Sequence, residues 1–243
     1  MNKIIIPSIV ISLGFIIGLA IIGNAYKNRN KSEDTISVTG LGTKTFTSDL
    51  ITWSGSFSRN SMELNSAYNQ LSEDRAVIQN YLTSKGIAEN EIIFSAVDIQ
   101  KTYDYTYDHM GRGQNVFTGY RLNQSISIES KEVEKVEQLS RNITEIINQG
   151  IEFTSSPPSY FYTKLSEVKH EMIADGTKDA KIRAEKIAEN AGGKLGKLKK
   201  ASTGVIQITA PNSNEEYSYG GTFNTHSKEK EASITIRLVY EIN

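Results

Sequence analysis

A chain of 243 residues with a formal net charge of −1 has no electrostatic reason to seek nucleic acid. It contains no cysteine, which excludes disulfides, thiolate metal sites, cysteine nucleophiles and a lipid anchor on an N-terminal cysteine. Only four prolines and 38% hydrophobic residues predict a folded body, and the compartment stays open.

From Ile4 to Gly23 the chain reads "IIIPSIVISLGFIIGLAIIG", without a charge. A helix of that length spans about 30 Å, the thickness of a bilayer core. Residues 1–26 are therefore expected to be a transmembrane anchor or a signal segment. Gly23 and Ala25 are small residues placed for cleavage after Ala25. The apolar run exceeds the roughly 7–15 residues of a signal-peptide core, which favours an uncleaved anchor in contact with membrane lipid. Gly14 and Gly18 form a G-x-x-x-G, a spacing that gives a flat strip for membrane-helix contact. Glycines are also common in membrane helices without that role. Lys27, Arg29 and Lys31 follow, and the positive-inside rule would place them in the cytoplasm.

Residues 27–35 read as a polar tether, and 36–243 as the body. Ile36 and Val38 share one strand face, and Gly40 and Gly42 are expected to break that run as bulge or turn residues. A second strand is predicted from about Leu50 to Ser58. Asn60 and Glu63 mark a helix start, Leu64, Tyr68, Leu71, Ile78 and Leu82 recur at helical spacing, and Gly86 ends the run. Two long strands follow, about Ile92 to Tyr105 and Val116 to Ser130, around Gly111 and Gly113. A helix from about Lys131 to Asn148 carries Val133, Val136, Leu139, Ile143 and Ile147 and stops at Gly150. Then come a strand near Ser159 to Thr163, a long helix from about Lys164 to Ala191, and strands from about Lys197 to Ile208 and Ala232 to Ile242. Each half thus reads strand–helix–strand–strand. The predicted class is α+β, a mainly antiparallel sheet with helices on one face, after one N-terminal transmembrane helix.

Three stretches carry a resemblance. "ISVTGLGTKTFTSDL" (Ile36–Leu50) has a V-x-G-x-G strand leading into an Asp-containing one. "DAKIRAEKIAENAGGKLGKLKKAS" (Asp179–Ser202) is an Ala-rich helix running into G-x-x-L-G-x-L, and "ASITIRLVYEI" closes the chain as a strand. Together they resemble the SIMPL-domain family, over about residues 35 to 242. Its motif positions fall here on Gly40, Gly42, Asp49, Ala184, Ala188, Gly192, Gly193, Leu195 and Gly196. Physically, Ala180, Ala184, Ala188 and Ala191 give one helix face small side chains for close packing, and the paired glycines suit a helix end. The resemblance implies an exported bacterial envelope protein of the periplasmic immunogenic type. It further implies a ring- or channel-like homo-oligomer in some members and a link to oxidative-stress tolerance. Export sets the resemblance against the charge rule, and the body is expected in the periplasm.

No chemical signature accompanies these folding signals. His109, His170 and His226 lack a second histidine at metal-ligand spacing, and Asp104, Asp108 and His109 read as a solvated loop tip. No G-x-S-x-G or S-x-x-K stands in a convincing catalytic context, and Glu215–Glu216 lie in a polar loop. The expectation is no enzyme, no metal and no cofactor, with a hydrolase as the least favoured reading and any small-molecule ligand unknown. Tyr103, Tyr105 and Tyr107 alternate in "KTYDYTYDH" and share one strand face, a candidate subunit interface or an edge cap within one chain. Tyr160 and Tyr162 read as internal caps, and Tyr217 and Tyr219 repeat the spacing in a loop. The expected function is self-assembly of a protein anchored in the bacterial inner membrane by a single pass. The alternative is a soluble periplasmic binding or stress-protection module released after Ala25.

Overall fold

The computed structural model describes residues 2–27, 35–107 and 109–242, with side chains on the N-terminal helix from Ser12 onward. The polar tether at 28–34 and Asp108 lie outside the described residues. The body is built on two antiparallel sheets, each with its own apolar core. The first holds β1 (Thr35–Thr47), β8 (Leu195–Thr203), β9 (Gln207–Thr209) and β10 (Glu229–Ile242). β10 is central, flanked by β1 along its length and by β8 and β9 on its other side. Helix α4 (Leu165–Asn190) covers the face carrying Val38, Ile234, Ile236 and Leu238.

The second sheet contains β2 (Leu50–Ser61), β3 (Ile92–Phe94), β4 (Asp98–Tyr107), β5 (Gly113–Ser130), β6 (Phe153–Ser155) and β7 (Ser159–Phe161). β2 and β5 form its centre. β3 and β4 pair with β5, while β6 and β7 pair with β2. Helices α2 (Leu64–Ser84) and α3 (Val133–Asn142) bury Ile51, Trp53, Phe57, Ile126 and Ile128 beneath them. The opposite face, Thr52, Ser54, Ser56 and Ser125, is polar and at least partly open to solvent. The α+β class with antiparallel sheets is as the periodicity predicts.

The division into two consecutive halves is not. β1, first in the body, pairs without a register shift with β10, last in the chain. Alternation tells that a strand has one buried face, but it does not name the partner. Nor do Gly40 and Gly42 break β1. Both sit in regular pairing because α4 passes so close that no side chain fits between them. A Cβ on Gly42 would lie 2.0 Å from the Met172 carbonyl oxygen, and one on Gly40 would lie 2.2 Å from that of Gly176.

Smaller differences have local causes. β2 runs on to Ser61, so α2 begins at Leu64 with no side-chain cap on it, and Tyr68 is exposed. Beyond Asn142 the helix tightens to a 3-10 turn, Ile143–Gln149, which brings Ile146 inward in place of Ile147. The strand predicted from 92 to 105 is two strands separated at residues 95–97. β6 is too short to show periodicity, yet its Phe153 stacks on Trp53 at 5.9 Å. Ala191 lies past the end of α4 and is exposed.

Helix α1 spans Asn2–Lys27. Phe15, Ile16, Ile21 and Ile22 are exposed on it, and nothing lies within 4 Å of the Cβ positions of Gly14 or Gly18. Among the described residues no helix is long and apolar enough to cross a membrane.

Candidate functional site

The β4–β5 hairpin extends beyond both cores. From Asp98 to Tyr107, β4 buries no residue, and its substantial contacts are all with β5. The arm leaves the sheet at a bulge between Thr102 and Tyr103. Opposite the bulge, Gly119 adopts φ +132, and a Cβ there would lie 2.6 Å from the Ser61 carbonyl oxygen. Only glycine meets both demands, a left-handed backbone and close passage of β2.

Past that root one face is aromatic. Tyr103 meets Phe117 edge-on at 5.7 Å, Phe117 meets Tyr120 at 5.2 Å, and Tyr105 meets Tyr107 at 5.4 Å. Tyr103, Tyr105 and Tyr107 nevertheless remain 54%, 63% and 70% exposed. Among the described residues no further layer covers these rings. Val116 and Met110 add to the exposed apolar surface. Rigid rings with a hydroxyl at the tip suit a protein contact.

The two units meet where the chain crosses between them. Ser48 and Asp49 link β1 to β2, and residues 162–164 lead back from β7 to α4. Asp49 clasps both crossings. Its amide donates to the Phe161 carbonyl at 3.0 Å, and its carboxylate accepts from the Thr163 amide and hydroxyl, each at 2.7 Å. Beside it, Lys228 of the first unit donates to Glu137 of α3 at 2.9 Å, and Glu137 also accepts from Arg141 and Tyr160. The Lys228 ammonium holds the Glu137 carboxyl below its ordinary 4.5 against the opposing effect of burial. Burial is the main cause raising the Tyr160 hydroxyl.

A carboxylate depressed in the folded state contributes stability above its unfolded value and loses it as pH falls through the folded one. Thermal unfolding should therefore show a loss of stability below about pH 4.5 that Glu137→Gln flattens. At neutral pH that variant should cost about 1–2 kcal/mol. An unchanged acid profile would show that the junction is not held by this pair.

Sequence reasoning missed Lys230. It is 1% exposed, and its ammonium donates to the Asn224 and Ser227 carbonyls at 2.5 and 2.9 Å. Desolvation lowers its pKa. The signal was present, since Lys230 alternates in phase with Ala232, Ile234 and Ile236.

The remaining sites scatter. His109, His170 and His226 are exposed on separate elements, and among the described residues no group of three His, Asp or Glu side chains converges on a metal site. Glu215 serves its loop, accepting from Asn224 and the Ala210 amide. Tyr160 is a core residue and Tyr162 packs on Phe46 with ring centroids 4.5 Å apart, both inside the chain. Tyr217 and Tyr219 are exposed over a groove of about 340 Å³ with Leu41 and Val205. No histidine or carboxylate is among the residues that line that groove. Of the motif positions, Ala184 and Ala188 are fully buried on the inner side of α4, Gly192 ends the helix at φ +78, and the Gly193 amide donates to the Ala188 carbonyl. Leu195 and Gly196 open β8, with Leu195 against the first core.

The chain is 25% identical over 166 residues to the "26 kDa periplasmic immunogenic protein" of Brucella abortus (strain S19). That match takes in 67% of this chain and 64% of the relative, so the chain spans less than two thirds of the relative's length. The SIMPL family, described as "Protein of unknown function (DUF541)", matches residues 36–240, the span from the first buried residue of β1 to the last of β10. The chain belongs to the SIMPL family.

Proposed function

We propose that this is a non-enzymatic envelope protein, tethered to the bacterial inner membrane by α1, whose periplasmic body assembles into a homo-oligomer through the β4–β5 arm. The observation that carries the reading is the arm itself, an aromatic face that no further layer covers among the described residues. Isolated hairpins are marginal in water, and exposed rings gain most when a second surface covers them. A periplasmic place follows the printed name of the Brucella relative. The uncharged run from Ile4 to Gly23, long enough for a bilayer core, is what supports the tether. The Gly23–Ala25 spacing supports a second reading, in which cleavage after Ala25 frees a soluble periplasmic module. No small-molecule ligand or metal is required by either.

Mass measurement of the detergent-solubilised protein at micromolar concentration tests the assembly. An oligomer is expected for the native chain. Replacing Tyr103, Tyr105 and Tyr107 together by serine should dissociate it while circular dichroism stays native, since none of the three belongs to a core. A strictly monomeric native protein overturns the proposal, and a mature chain starting at Tyr26 overturns the tether alone.

A further inference from the structure

We propose that the free edge of β1 and the adjoining flank of α4 form a docking groove for an extended acidic peptide, which adds to the first sheet as a strand.

Among the described residues β1 pairs with β10 only, and no strand lies along its other edge. Two independent hydrogen bonds show which backbone groups face out. The Leu41 amide donates sideways to Asp179 of α4 at 3.0 Å, away from β10. Its partner in register, Thr235, turns its carbonyl the other way, to the Gly204 amide at 2.7 Å. Leu41 and Thr235 therefore form a non-hydrogen-bonded pair, and by the alternation of an antiparallel ladder so do Thr39 with Arg237 and Ser37 with Val239. The amides and carbonyls of Ser37 and Thr39 point to the open edge. Asp179 occupies the Leu41 amide as a strand partner's carbonyl would. Toward the start of β1 nothing comparable occupies Ser37 or Thr39 among the described residues.

A groove of about 470 Å³ runs along this edge, lined by Ser37, Val38, Thr39, Arg183, Lys186 and Ile187. Ile187 is 52% exposed there, an apolar contact for a side chain of an added strand. The charges set the occupant. Arg183 and Lys186 flank the edge from α4, and Arg237 reaches it from the opposite face, donating to the Ser37 hydroxyl at 3.0 Å. Among the described residues one carboxylate stands with them, Asp179, which Arg183 holds at 2.9 Å. Glu241, nearer the start of β1, is engaged by Lys199. The excess positive charge selects a strand carrying carboxylates, with backbone pairing giving affinity and alternate side chains giving selectivity.

A second copy of this chain is disfavoured at the same edge. Two β1 edges paired about a two-fold axis would bring Arg183, Lys186 and Arg237 of both copies together. The free edge of β8 is also basic, with Lys197 and Lys200. Like charges facing one another across a strand pair are destabilising. The groove belongs to the other sheet from the β4–β5 arm, and its occupancy does not depend on assembly.

The test uses the full chain in detergent and a fluorescent, end-blocked hexapeptide of alternating glutamate and valine. Binding by anisotropy and slowed amide hydrogen exchange confined to residues 36–40 are expected. The same peptide with N-methylated amides, which keeps the charge and cannot pair, should not bind. Neither should a lysine–valine peptide. Lys186→Glu, at an exposed position that leaves the core untouched, should weaken the acidic peptide by roughly tenfold. Equal binding of the N-methylated or basic peptide overturns the proposal, as does protection elsewhere in the chain. Protection of 36–40 that rises with protein concentration and no peptide identifies a second copy as the occupant and also overturns it.

Discussion

Replacing Gly42 by valine is expected to unfold the sheet of β1, β8 and β10, at a cost above about 4 kcal/mol. Valine favours strands, so strand propensity alone predicts a gain. Packing predicts the reverse. The Cβ at position 42 would stand 2.0 Å from the Met172 carbonyl oxygen and 2.8 Å from its carbon, both backbone atoms that no rotamer change can move. Gly40 repeats the contact one turn along α4, against Gly176 and Ala180, and Gly176 itself leaves no room beside Ile236. Helix and strand touch backbone to backbone over this stretch, and a side chain between them would lift α4 off its core.

The measurement separates the two units, because Trp53, the one tryptophan, lies in the other core. Gly42→Val should lose part of its ellipticity at low denaturant while Trp53 emission stays near native. Gly220→Ala, whose Cβ would meet only the Ser218 hydroxyl at 3.8 Å, should be close to neutral. A Gly42→Val protein with an unchanged unfolding midpoint would rule out the close approach of α4 to β1.

The glycines show how far the sequence can be read. Their presence in a strand signals something unusual, and bulge and close approach leave the same mark on one sequence. What separates them is the second small stripe, Gly176, Ala180, Ala184 and Ala188, which faces β1 across 130 or more residues. Alternation in β1 and β10 was plain. Their mutual pairing was not, because a period of two carries no address. At the arm, Tyr103, Tyr105 and Tyr107 were legible as one face, whereas their freedom from any covering layer depends on the root at Gly119. Asp49 stood out only as a motif position, since its partner Thr163 comes from the return crossing. The groove beside β1 had no local signal, being made of two elements distant in sequence and an edge that only the sheet order exposes.

Arg59→Met should destabilise the second unit by about 3–5 kcal/mol, more than removing the whole ion pair. Asp74 lies on the buried side of α2 with Leu71 and Ile78, only 5% exposed. Arg59 of β2 grips it with two hydrogen bonds, Nε to Oδ2 at 2.5 Å and Nη2 to Oδ1 at 2.7 Å, and Nη2 also reaches the Gly150 carbonyl at 2.9 Å. The hydrogen bond to Asp74 raises the guanidinium pKa. Without Arg59 the buried carboxyl loses both of its hydrogen bonds, and the 3-10 turn loses its tie to β2. Exchanging both, Arg59→Met with Asp74→Leu, removes that carboxyl and should return stability to within about 2 kcal/mol of native. Denaturant unfolding read by Trp53 emission supplies the double-mutant cycle, and a single variant milder than the double would refute the buried pair. The consequence reaches the arm, because Arg59 pairs in register with Leu122, and Ser61, two residues on, packs against the Gly119 root. Arg59→Met should therefore weaken self-association although every arm residue is unchanged, and Arg59→Met with Asp74→Leu should restore it together with stability.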